Sequence, residues 1–432
     1  MHKLIIALVL LPCFYACKTP VNLFIKKAAH EAYADKLTNA GLQQTALGDR
    51  WFNAASGALA RPITVELPYK ENGYFATERP DANGLRFDAK RGEQLVIELI
   101  KTPAYNYLLF ADLFSFNNNS PKYILSVDTI SNLIRYTVKE NSVFILRLQP
   151  ELLQSGSYTV TIKTGPSLAY PIPSPGAKNQ VISFWGAGRD GGVRKHEGID
   201  IGGARGTPLA AVGNGVVSSV TENNLGGKVV FIRSAEGNET WYYAHLDSQI
   251  ARSGQRVKTG DIIGLMGNTG NAKTTAPHLH FGIYTIGGAV DPLPFINPES
   301  KEAKPVAGKL SALGKKMRVS GKSPQFYLSP VLSAPEKATD NLPVFVIAAT
   351  GNLYKAILPG GEIRFINLAN VVPLEKPLRR FALKADAALT DAPATGAPVV
   401  ESLKAGSLVN VIGSYNGFQY VNTDKNSGWI SN

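Results

Sequence analysis

The sequence predicts a mainly β, multidomain chain with short helices confined to its N-terminal part. Three observations carry this. The first is length: 432 residues argue for two to four domains. The second is composition: 41 Gly, 27 Pro, 18 Phe and 17 Tyr lean toward turns and strands. The third is pattern: from residue 61 onward, short β-rich runs recur between turn signals. Hydrophobic residues at 44% and charged residues at 18% exclude a disordered chain. The formal net charge of +12 suits acidic partners such as wall polymers or phospholipid headgroups. No basic run is dense enough for a nucleic-acid surface, and a solvated surface accounts for most of the charges.

Residues 1–17, MHKLIIALVLLPCFYAC, read as a secretion signal. Lys3 supplies the positive start, and Leu4 to Leu11 form an apolar core too short to span a membrane. The segment ends at Cys17 after the small residue Ala16 and resembles a lipoprotein signal. That resemblance implies an exported protein held to the membrane by lipid on Cys17, facing the periplasm or cell surface. The two cysteines, Cys13 and Cys17, both fall in this leader, so neither a disulfide nor a cysteine metal ligand is expected in the mature chain.

Residues 18–60 read as helical. Ile25, Ala29, Tyr33 and Leu37 recur every four residues, and a second helix is expected over Thr45 to Leu59, with Trp51 and Phe52 packing. Gly41 and Gly48 are the expected breaks. His30 reads as a surface or packing residue rather than a ligand. Residues 61–165 carry seven β-rich runs, among them Leu95 to Leu99, Phe144 to Leu148 and Tyr158 to Ile162, and predict an antiparallel sandwich. No cluster of His, Asp or Glu with ligand spacing occurs there, so this domain is read as non-catalytic. A Pro-rich linker, PSLAYPIPSPGAKNQ (166–180), closes it. Residues 299–322 read as a basic linker. Two repeats follow, 323–375 and 383–432, each built from a strand, a Pro-marked loop, a second strand and an aromatic strand.

The chemistry concentrates in TAPHLHF (275–281). On a strand, His278 and His280 share one face while Leu279 and Phe281 turn to the other, a core face. Four of the six histidines, His196, His245, His278 and His280, lie in one segment. His196 opens HEGID, and in an extended chain Asp200, four residues on, shares its face. His196, Asp200 and His280 then offer two imidazoles and a carboxylate. Three protein ligands with an open position mark catalytic rather than structural zinc. His245 and His278 remain free to move protons.

HEGIDIGG (196–203), WYYAHLD (241–247), GQRVKTGDIIGLMGNTG (254–270) and TTAPHLHFGIY (274–284) resemble the M23 family, the LytM or lysostaphin-type metallopeptidases, over residues 176–298. The resemblance implies a LytM-type β-sheet domain with Zn2+ bound by His196, Asp200 and His280, and with His245 and His278 as catalytic histidines. It also implies cleavage of peptide stems or cross-links in bacterial peptidoglycan. Some relatives have lost ligands and only activate other wall hydrolases; here every motif position is filled. GLRFDAKRGEQLVIEL and VFILRLQPELLQSGSYTVTI resemble jelly-roll pre-peptidase domains. The C-terminal repeats resemble tandem bacterial SH3-like barrels, which implies binding to the cell wall. The rival functional classes are a non-catalytic activator and an adhesin or scaffold. The sequence leaves open the bond cleaved, which histidine is the base, and the oligomeric state.

Overall fold

The computed structural model describes residues 27–117, 120–127, 132–174, 176, 179–299, 301–331 and 334–431. The expected signal, Cys17 and Ile25 lie outside these. Helices α1 (Ala29–Asn39) and α2 (Ala46–Ala60) occupy the alanine-rich stretch. The Thr45 hydroxyl caps α2 by accepting from the Gly48 amide at 3.1 Å. Gly41 breaks the chain in the left-handed region at φ 71°. Gly48, an expected break, lies inside α2 instead, buried where a side chain would strike the Leu42 carbonyl. Trp51, 1% exposed, stacks on His30 and donates to the Pro150 carbonyl at 2.9 Å. The helices therefore dock on the next domain through a small aromatic cluster with Phe110. No helix among the described residues is long and apolar enough to cross a membrane.

Strands β1 (Ile63–Thr64), β2 (Tyr69–Phe75), β3 (Asn83–Ala89), β4 (Glu93–Thr102) and β5 (Leu109–Asn117) open the sandwich. Strands β6 (Ser120–Ser126), β7 (Leu133–Thr137), β8 (Ser142–Pro150) and β9 (Gly156–Pro166) complete it. One sheet runs β1-β3-β8-β5-β6 and the other contains β2-β9-β4-β7. Leu85, Leu95, Ile97, Leu113, Leu146 and Ile162 meet between the sheets.

The Pro-rich stretch is not a free linker. The Leu168 and Ala169 amides donate to the Phe295 and Val212 carbonyls, at 2.8 and 2.9 Å. Ile172, 2% exposed, sits in the core of the following domain. Prolines suit this extended path, but Ile172 is buried and Leu168 and Tyr170 are partly buried against the same core, and that fixes the segment in place. The next domain contains β10 (Val181–Ser183), β11 (Gly188–Arg189), β12 (Arg194–Lys195), β13 (Ile199–Gly202), β14 (Pro208–Ala210) and β15 (Gly215–Asn223). It continues with β16 (Gly227–Ser234), β17 (Thr240–Gln249), β18 (Arg256–Val257), β19 (Ile262–Met266), β20 (His278–Thr285) and β21 (Gly288–Val290). Its main path is β10-β13-β20-β17-β16-β15-β18, with the histidine strand β20 between β13 and β17. One short helix, α3 (Leu293–Ile296), ends it.

A first C-terminal unit holds β22 (Lys315–Val319), β23 (Gln325–Tyr327), β24 (Glu336–Lys337), β25 (Pro343–Thr350), β26 (Leu353–Ile357), β27 (Ile363–Asn367) and β28 (Val371–Pro373). A second holds β29 (Arg379–Ala382), β30 (Ala387–Thr390), β31 (Val399–Leu403), β32 (Leu408–Tyr415), β33 (Phe418–Asn422) and β34 (Ser427–Ser431). The pairing β22-β25-β26-β27-β23-β24 recurs as β29-β32-β33-β34-β30-β31. Each unit thus begins one strand upstream of its expected boundary: β22 lies inside the expected basic linker 299–322, and β29 precedes residue 383. Both are basic strands and carry little apolar signal.

The sandwich and the first unit share one sheet. Asn72 and Gly73 of β2 pair with Ala349 and Ala348 of β25. Behind this seam lies a buried polar network. The Glu71 carboxylate accepts from Tyr69 and Tyr158 hydroxyls at 2.7 Å each and from Asn83 at 2.8 Å. Lys355 of β26, 2% exposed, donates to Asn83 Oδ1 at 2.7 Å and lies 3.7 Å from Glu71.

Candidate active site

Register on β20 sets the site. Asp200 of β13 lies directly opposite His280, and Gly202 opposite His278. On the same strand, Leu279 and Phe281 are fully buried on the core face. On the other flank, Ala244 of β17 pairs with His280, which brings His245 alongside. His245 adopts φ 64°, in the left-handed region, next to a register shift between β16 and β17. Its backbone amide donates to the Gly226 carbonyl at 2.8 Å. His245 and His278 ring centroids are 5.0 Å apart, and His245 and His280 are 6.0 Å apart.

His196 reaches the same place by a different route from the one its spacing predicts. It lies between β12 and β13, off the Asp200 strand. Its amide donates to the Ala187 carbonyl at 2.8 Å, and its own carbonyl accepts from the Gly186 amide at 2.9 Å. The chain then passes Gly198, where a Cβ would lie 2.8 Å from His280 Nε2 and 2.5 Å from the Phe281 carbonyl. Only glycine allows this approach.

Three donor atoms converge. Asp200 Oδ1 lies 3.0 Å from His196 Nε2 and 3.0 Å from His280 Nδ1, and the two nitrogens are 2.9 Å apart. His196 Nδ1–H donates to the Phe184 carbonyl at 2.9 Å, which leaves the Nε2 lone pair facing a carboxylate oxygen. Two acceptors that close call for a cation between them. Ligand atoms about 2.0–2.2 Å from a tetrahedral zinc are about 3.3 Å apart, so the triangle fits such an ion after slight expansion. Among the described residues, this is the group able to hold a metal.

The electrostatics separate two kinds of residue. Burial raises the Asp200 pKa, but the facing His196 and His280 rings outweigh it and hold the carboxyl below its usual range. Burial pushes His245 down to about 4, against the opposing bond to Thr269. His245 is thus neutral at pH 7, its Nδ1–H donating to the Thr269 carbonyl at 2.8 Å. His278 donates likewise to the Ala276 carbonyl at 2.9 Å. In neutral His245, Nε2 is left as an acceptor.

One further residue, Arg189, touches the centre without having been singled out in the sequence for it. Arg189 Nη2 donates to Asp200 Oδ2 at 2.7 Å and to Ser183 Oγ at 2.8 Å. In the sequence Arg189 is one of 45 Lys and Arg residues, and only the β11–β12 hairpin reveals its direction. Behind the site, Tyr243 is a core residue, fully buried, its hydroxyl accepting from the Val212 amide at 3.0 Å.

The fold and this donor set define a metallopeptidase-type domain. Residues 194–292 match the model of peptidase family M23, and the chain carries an M23 domain there. It is 40% identical over 91 residues to the peptidoglycan DD-endopeptidase ShyC of Vibrio cholerae, covering 21% of this chain and 20% of that protein. To the L-Ala–D-Glu endopeptidase of Bacillus subtilis it is 36% identical over 140 residues, covering 30% of this chain and 42% of that one. To the uncharacterized lipoprotein YgeR of Escherichia coli it is 35% identical over 158 residues, covering 34% and 60%. The chain thus spans between a fifth and three fifths of the length of these relatives.

Proposed function

We propose that the protein is a zinc endopeptidase that hydrolyses peptide stems or cross-links of bacterial peptidoglycan. The observation that carries this is the convergence of His196, Asp200 and His280 at 2.9–3.0 Å beside two histidines, His245 and His278, held through Nδ1 by backbone carbonyls. The names of the Vibrio and Bacillus relatives support the substrate class. His196, Asp200 and His280 would hold the metal. A zinc ion there supplies Lewis acidity toward water and the scissile carbonyl. One of His245 and His278 accepts the proton of the attacking water. The other faces the developing oxyanion or returns a proton to the leaving amine as the C–N bond breaks. Held neutral by burial, His245 is ready to accept a proton at neutral pH.

The test separates ligands from proton carriers. His196→Ala, Asp200→Ala and His280→Ala are expected to lose zinc and activity together. His245→Ala and His278→Ala are expected to keep zinc after dialysis yet lose about a hundredfold or more in turnover on a cross-linked stem peptide. A metal-bound parent without turnover points instead to an activator of another hydrolase.

We also propose that the chain is exported and lipid-anchored at Cys17, and that the two C-terminal units bind cell wall. The apolar leader, the +12 charge and the lipoprotein name of the Escherichia relative support this. Intact mass of the mature protein and sedimentation with sacculi test the two claims.

A further inference from the structure

The metal-binding carboxylate has two oxygens, and the structure treats them differently. Asp200 Oδ1 faces His196 and His280 at 3.0 Å each. Oδ2 faces away, toward Arg189 Nη2 at 2.7 Å. The same Nη2 donates to Ser183 Oγ at 2.8 Å, and Ser183 is paired across β10 and β13 with Asp200 itself. Each hydrogen of that nitrogen thus has its own acceptor. Ser183 Oγ also lies 3.4 Å from His196 Nδ1, so the arrangement closes around the ligand pair. The guanidinium is carried by the β11–β12 hairpin, in which Gly188 pairs with Lys195 and Arg189 with Arg194. That hairpin runs straight into His196. One short element therefore sets both a ligand and the partner of another ligand.

We propose that Arg189 is a positioning residue that makes Asp200 a one-oxygen ligand. This rests on the metal centre described above. A free carboxylate can swing both oxygens onto a metal, which adds a ligand atom and uses up the position that substrate needs. The Arg189 bond occupies Oδ2 and removes that option, while its charge costs some attraction for a cation. Orientation wins over repulsion because the side chain is about a third exposed and its charge is screened. Partners of metal ligands typically contribute 10–100-fold in affinity.

The experiment uses the full chain as parent, Arg189→Met, Arg189→Lys and Ser183→Ala. Competition with a chromogenic chelator reads zinc affinity, and visible absorption of the cobalt(II) form reads coordination number, since four-coordinate cobalt absorbs far more strongly than five- or six-coordinate. Arg189→Met is expected to bind zinc about 10–100-fold more weakly and to give a weaker cobalt spectrum. Arg189→Lys, which keeps a cationic donor, recovers most of both. Ser183→Ala, which leaves the ion pair in place, shifts both in the same direction by less, and it serves if the methionine variant does not fold. Parent-like zinc affinity or cobalt absorption in Arg189→Met overturns the role of Arg189 alone. A lysine variant as weak as methionine also overturns it, since loop packing would then be the cause. A parent that takes up no metal overturns the centre and this inference with it.

Discussion

At the level of single residues, the site depends on small side chains as much as on ligands. Gly198 allows the chain from His196 to pass against the His280 ring. Gly198→Ala is expected to displace His280, weakening zinc binding by tenfold or more in chelator competition, while overpacking costs about 1–3 kcal/mol of stability in thermal unfolding. The pairing of His278 with His280 was legible because strand alternation is a short-range rule: the two share a face, and Leu279 and Phe281 fill the core behind them. His196 and Asp200 were legible for a weaker reason. Their spacing suggested one strand, but a turn brings them together. Arg189 was not legible, because an arginine's partner depends on where its hairpin points.

Among the elements, the helices show how a buried histidine ties a segment down. His30, 3% exposed, donates from Nε2 to Gln149 Oε1 at 2.7 Å. Gln149 is oriented by its own bond to the Trp51 carbonyl at 2.8 Å. Glu31 lies 3.3 Å from the other ring nitrogen, while Arg147 and Asp112 face the ring from the sandwich. Burial, then the Arg147 charge, hold the His30 pKa below its ordinary 6.5. A histidine lowered on folding stabilises fully above pH 6.5 and loses that contribution as pH falls toward its folded value. Limited proteolysis is therefore expected to cut α1 faster below pH 6 than at pH 7.5, and His30→Gln is expected to flatten that dependence. Separately, Thr45→Ala removes the cap of α2 and is expected to cost about 1 kcal/mol in denaturant unfolding. The first helix announced itself by period and β3 to β9 by β-rich runs, whereas β1, β2, β22 and β29 did not. Lys315 and Lys316, and Arg379 and Arg380, give β22 and β29 a linker's composition.

Across the whole molecule, the sandwich and the first C-terminal unit form one body. Lys355 and Glu71 come from opposite sides of the seam and are both buried. Replacing Lys355 by Met leaves the Glu71 charge without its cation and is expected to cost about 3–5 kcal/mol, seen as a lowered unfolding midpoint for sandwich and unit together. Deleting residues 323–432 is expected to destabilise the sandwich as well, rather than detach an independent module. No local pattern could show this. A seam between residues 73 and 348 is set by surface complementarity after both partners have formed, and sequence periodicity carries no information on it.

The seam also has a consequence for the order in which the chain is made. Strand β2 acquires its β25 neighbour only when residues 348 and 349 have emerged, with the whole catalytic segment synthesised in between. At about 5–20 residues per second, roughly a quarter of a minute to a minute passes with that strand's outer edge bare. During this interval the nascent chain is most open to pairing with a neighbour. Ribosomal stalling anywhere between the catalytic strand and β25 would leave a finished peptidase domain on an unfinished support.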